Sequence, residues 1–61
     1  MKLFFFVFSG ERNGKKYSEP VTIKSGENLI PFIERYNAAI VHLCKTREEA
    51  ERIALEWNKT N

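Results

Sequence analysis

The chain begins with an unbroken apolar run, Leu3-Phe4-Phe5-Phe6-Val7-Phe8. Its aromatic and β-branched content predicts a strand over residues 2–9. Ser9-Gly10-Glu11-Arg12-Asn13-Gly14 then interrupts it. Asn and Gly both tolerate positive φ, so Asn13-Gly14 predicts a two-residue hairpin turn. Residues 15–24 alternate, with Tyr17, Val21 and Ile23 opposed to Lys16, Ser18, Thr22 and Lys24. That is an amphipathic strand, and Pro20 places it at a sheet edge because proline cannot donate to a ladder.

Ser25-Gly26-Glu27-Asn28 reads as a loop. Asn28 can cap a short helix carrying Pro31 in its first turn and ending near Asn37. Leu29, Ile30, Phe32, Ile33 and Tyr36 share one arc of that helix, and Glu34 and Arg35 fall outside it. Residues 38–44 (Ala-Ala-Ile-Val-His-Leu-Cys) predict a third strand, and apolar residues on both its faces predict considerable burial. Thr46-Arg47-Glu48-Glu49 forms a capping box. Beyond it Ala50, Ile53, Ala54 and Trp57 fall at i, i+3, i+4 and i+7, leaving Leu55 on the far side. Glu48 and Glu49 suit the helix dipole, and Glu48–Arg52 is an expected i,i+4 pair.

The order β-β-α-β-α predicts an α+β fold in one small domain, residues 1–61. A helix between strands two and three makes those strands parallel, with strand one between them in a split β-α-β arrangement. If Asn13 and Gly14 are the turn, opposed residues sum to 27. Phe4, Phe6 and Phe8 then share a face with Ile23, Val21 and Tyr17. Leu3, Phe5 and Val7 lie on the other face. Two short helices can cover one face of a three-stranded sheet but hardly both. The expectation is therefore two helices on one face, with Leu3, Phe5, Val7, Ile40 and His42 forming an open apolar patch for a partner. If the helices instead pack on opposite faces, that stripe is core.

Composition bears on chemistry. The 61 residues carry a formal charge of +2, far from a nucleic-acid signature. The basic character lies in residues 1–24, where five Lys and Arg face two Glu. Arg12, Lys15 and Lys16 at the hairpin tip could meet phosphates. His42 and Cys44 are the only His and Cys, and Asp is absent. A Cys–His nucleophile lacks its orienting third group, and a metal site lacks further ligands. Gly10, Gly14 and Gly26 build no phosphate loop. No catalytic, cofactor-binding or metal-binding residue is expected, nor a small-molecule substrate. The lone cysteine, and an apolar run shorter than a signal-peptide or membrane core, predict a cytoplasmic protein.

The stretch from Asn13-Gly14 to Cys44-Lys45-Thr46-Arg47-Glu48-Glu49-Ala50-Glu51 is loosely similar to the small amino-terminal arm-site DNA-binding domains of tyrosine recombinases. Those have a three-stranded sheet, a Gly-containing hairpin and a helix opening on a Thr-x-x-Glu-Ala-like segment. This chain differs by its extra segment at 28–36 and by few basic residues on the sheet. The expected function is a non-enzymatic interaction module that pairs with itself as a homodimer or with another protein. The resemblance sets the alternative, a nucleic-acid accessory domain using Arg12, Lys15 and Lys16.

Overall fold

A computed structural model describes residues 2–60, with the side chain of Thr60 left aside. Its elements are β1 (Leu3–Arg12), β2 (Lys15–Lys24), α1 (Ile30–Tyr36), β3 (Ala38–Cys44) and α2 (Arg47–Thr60). The sheet order is β2-β1-β3, with β1 antiparallel to both neighbours. The fold is thus α+β with the most apolar strand in the centre.

Asn13 and Gly14 both adopt positive φ, 55° and 78°, as the turn requires. All ten β1–β2 pairs sum to 27, from Leu3↔Lys24 to Arg12↔Lys15. Gly26 turns the chain at φ 93°, and Glu27 N–H donates to the Lys24 C=O at 3.1 Å. Positive φ at the third position of that turn favours glycine.

Asn28 Oδ1 accepts from Ile30 N–H at 3.1 Å, one residue before the helix cap at Leu29. Helix α1 stops because Asn37 swings to φ 53° as a left-handed C-cap. In the turn before α2, Thr46 Oγ1 accepts from Glu49 N–H at 3.1 Å. Glu49 Oε1 reaches back one residue further than in a standard box, accepting from Lys45 N–H at 2.9 Å. The i,i+4 ion pair on α2 is Arg52–Glu56 at 3.7 Å rather than Glu48–Arg52.

The helices lie on opposite faces of the sheet, not on one. Ala50 and Ala54 of α2 pack on Val7 and Cys44, with Phe5, Ile53 and Trp57 around them. Phe32, Ile33 and Tyr36 of α1 pack with Leu29 on the other side, against Phe8, Val21 and Ile23. The physical reason is β1 itself. It is apolar on both faces, and a strand of that kind is stabilised only when both faces are covered. Small Ala50 and Ala54 let α2 approach the sheet closely. It runs across β2 and β1, where Ser18, Pro20 and Thr22 offer short side chains on the same side as Val7.

Coverage is uneven. At ~1.5 Å per residue, seven-residue α1 is about 10 Å long and α2 about twice that. The short helix shelters only part of its face. The predicted burial of β3 is therefore not met: Ala39 to Leu43 are exposed, and Cys44 is the one buried residue of that strand.

Candidate functional site

The five residues expected to form an open patch do not form one. Val7 has no exposed surface and Phe5 is half-buried beneath α2. Leu3, opposite Lys24 at one end of the sheet, stays partly exposed. Ile40, opposite Ser9, is exposed toward the other end. His42 is exposed beside Trp57, with ring centroids 5.8 Å apart. Helix α2 occupies the surface they were to share.

The basic tip is also divided. Arg12 is drawn back onto the domain, over the Tyr17 ring at 4.7 Å and the Tyr36 ring at 5.7 Å. Its guanidinium also meets Glu19 at 3.7 Å. The Tyr17 hydroxyl donates to the Tyr36 carbonyl, so this cluster ties the hairpin to the end of α1. Lys15 and Lys16 remain exposed.

Cys44 is buried, and burial pushes its thiol above the ordinary range, with Glu49 adding to the rise and Arg52 opposing it. A neutral, buried thiol is a poor nucleophile. No cluster of three His, Cys, Asp or Glu suited to a metal occurs among the described residues. No helix is long and apolar enough to cross a membrane.

The two edges of the sheet are treated differently, and hydrogen-bond phase shows how. A two-residue turn closes on a hydrogen-bonded pair, here Arg12↔Lys15. Even-numbered residues of β1 therefore bond to β2, and odd-numbered ones turn their backbone toward β3. The Ser25 N–H bond to the Lys2 C=O at 2.9 Å continues this phase. On β2, the outward backbone groups belong to residues 16, 18, 20, 22 and 24.

Most of them are blunted. Asn58 of α2 accepts from Ser18 N–H at 2.8 Å and donates Nδ2 to the Ser18 C=O at 2.9 Å. Its carboxamide thus stands where the backbone of a fourth strand would. Pro20 has no N–H to offer. Lys24 N–H donates to Glu27 Oε1 at 2.9 Å, and its carbonyl takes the Glu27 N–H. Lys15, Lys16 and Lys24 add charge along the edge. Each is a known device against unwanted strand pairing.

Removing the carboxamide should have a measurable cost. Asn58→Ala is expected to lower stability by about 1–2 kcal/mol, since two bonds to part-buried backbone groups go. Exchange of the Ser18 amide should accelerate. Thr22→Ala on the same edge should stay within ~0.5 kcal/mol. Equal effects in urea titrations would show that Asn58 does not cap this edge.

Strand β3 carries none of these devices. The same phase points the backbone groups of Val41 and Leu43 outward, with those of Ala39 beside the bulge between Ser9 and Gly10. Among the described residues no hydrogen bond from a turn, cap or side chain reaches them. The strand has no charge, Pro or Gly. Ile40 is 53% exposed, Val41 36% and Leu43 60%, and nearby Ile30 of α1 is 61%. Leu43 also borders a shallow cleft of about 260 Å³ with Phe4, Phe6, Ile23 and Leu29, which α1 is too short to close.

The sequence pattern does not single out Val41, Leu43 or Asn58, and it places Ile30 on the apolar arc of α1, whereas Ile30 stands exposed while Leu29, Phe32, Ile33 and Tyr36 pack. One local signal existed: residues 15–24 contain Lys and Pro, and residues 38–44 contain neither. Comparison of the chain with protein-family models, curated proteins and solved structures returned no match.

Proposed function

We propose that this chain is a small protein-interaction module whose working surface is the free edge of β3. The observation that carries this reading is the inequality of the two edges. Four separate devices guard β2, and β3 is left bare with Ile40, Val41 and Leu43 exposed along it. An extended segment laid against such an edge gains main-chain hydrogen bonds, and alternate side chains supply apolar contact. The interaction expected of the Leu3–Phe5–Val7 face thus moves to the neighbouring edge, where Ile40 and His42 already lie.

A test needs only the labelled chain and a short capped peptide alternating valine and threonine. Amide shifts confined to Ala39, Val41 and Leu43, and abolished by Leu43→Lys, are the expected result. A lysine there places charge beside the edge without removing an internal bond. A parallel titration with duplex DNA addresses the other class of partner. Salt-sensitive shifts at Lys15 and Lys16, with none on β3 from the peptide, would replace this reading with the nucleic-acid one. Silence in both titrations would remove the edge reading.

A further inference from the structure

We infer that the segment received at the β3 edge is β3 of a second copy, antiparallel, about a two-fold axis passing beside Val41. The inference rests on the edge reading above and deepens it. The two sheets would then join as one, in the order β2-β1-β3-β3-β1-β2.

Register argues for this. Residues 38 and 44 bound the strand. Whole-strand antiparallel self-pairing therefore sets opposed residues to sum to 82. That sum places Ala39 opposite Leu43 and Val41 opposite itself. Val41 and Leu43 lie in the regular ladder with their backbone groups outward, so the central donors and acceptors meet in phase, and Ala39 at the bulge takes the outer position. A slip by one residue would set outward groups against groups already bonded to β1. Closed symmetry of this kind stops at two copies.

Side chains agree with the register. Large Leu43 faces small Ala39, and Ile40 faces His42. No formal charge lies anywhere on the strand, so no like charges meet. The other edge makes the contrast. In-phase self-pairing of β2 about its middle sums to 40, and sets Lys16 against Lys24 at both ends and Pro20 against itself. The same chain is thus built against pairing at one edge and compatible with it at the other.

The strip is narrow. Seven residues at ~3.3 Å each give a strand about 23 Å long. A stable interface needs roughly 600 Å² from each copy at the low end, about an eighth of the chain's 4566 Å². The dimer is therefore expected in the micromolar range, on the order of 10–100 µM.

Sedimentation velocity over about 1 µM to 1 mM brackets that range. The wild-type chain should pass from monomer to dimer. Val41→Pro removes one outward N–H and Leu43→Lys places charge on the strip. Each should weaken the dimer at least about tenfold with the circular dichroism spectrum kept, and Thr22→Lys on the β2 edge should not. In a mixture of labelled and unlabelled chains, intermolecular NOEs should join Val41 to Val41 and Ile40 to His42. A monomer throughout overturns the second copy as occupant, and the valine–threonine peptide then decides the edge reading separately. A dimer that survives Val41→Pro and Leu43→Lys, or whose NOEs map to the cleft at Phe4 and Leu29, overturns the β3 pairing itself.

Discussion

Phe8→Ala is expected to remove at least about a third of the chain's stability at 25 °C. Phe8 has no exposed surface and is the largest fully buried side chain. It meets the edge of the Tyr36 ring at 5.5 Å and 83°, and the Phe6 ring at 6.1 Å and 64°. Val21 and Ile23 complete its surroundings. Truncating a buried Phe costs about 3–5 kcal/mol, because transfer energy is lost and the cavity collapses only in part. At ~0.05–0.15 kcal/mol per residue, a domain of 61 residues holds only about 3–9 kcal/mol. The substitution removes much of that. Phe8→Leu keeps most of the volume and should cost no more than about 1.5 kcal/mol. Urea titrations followed by Trp57 fluorescence would separate them. Phe8→Leu should keep a clear folded baseline, and Phe8→Ala should unfold at a much lower urea concentration. A Phe8→Ala chain less than about 1 kcal/mol weaker than wild type would show that α1 does not form a real core with the sheet.

That test bears on which features can be read from sequence. Asn13-Gly14 fixes the hairpin because few residues accept two successive positive φ values, and the whole β1–β2 register follows from it. Thr46 and Glu49 mark the start of α2 for an equally local reason. The placement of the helices has no such signal. Phe4-Phe6-Phe8 and Leu3-Phe5-Val7 are about equally apolar, so periodicity on β1 prefers neither face. An estimate from covering area favours one face. The better argument is that a central strand apolar on both sides must be wrapped on both. Strand β3 shows the limit of that argument. It too is apolar on both faces, but α1 is short and α2 leans toward β2, so β3 stays exposed. Of the edge devices, Pro20 and the lysines can be read locally, but the Asn58 cap cannot. Asn58 and Ser18 are 40 positions apart, and only the fold brings them together. The basic tip was legible as composition, but the stacking of Arg12 on Tyr36 depends on where α1 ends.

Gly10→Ala should damage the β3 edge more than its size implies. Gly10 lies at the bulge, opposite Ala38, where the pairing of β1 with β3 shifts register. A Cβ there would stand 2.3 Å from the Asn37 carbonyl oxygen and 3.2 Å from the Ala38 Cα. Both are backbone atoms, so no side chain can swing aside. Nor is the turn free to retreat. Asn37 is the left-handed cap of α1, and its Nδ2 donates to the Glu11 C=O at 2.7 Å. Its carbonyl can move only if the cap, that bond or the first pairs of β3 give way. Overpacking usually costs 1–3 kcal/mol, and contact with fixed backbone puts this case near the top, at about 3 kcal/mol. The loss should be local first. Amide exchange should speed up from Ala38 to Val41 and at the end of α1, with the β1–β2 hairpin and α2 protected longer. If the edge of β3 is the working surface, strand-peptide binding and self-pairing should weaken with it, although residue 10 lies on β1. Uniform loss of protection across the sheet would show that the bulge is no separate device. Unchanged stability would show that Asn37 and β3 can move away from β1 at little cost.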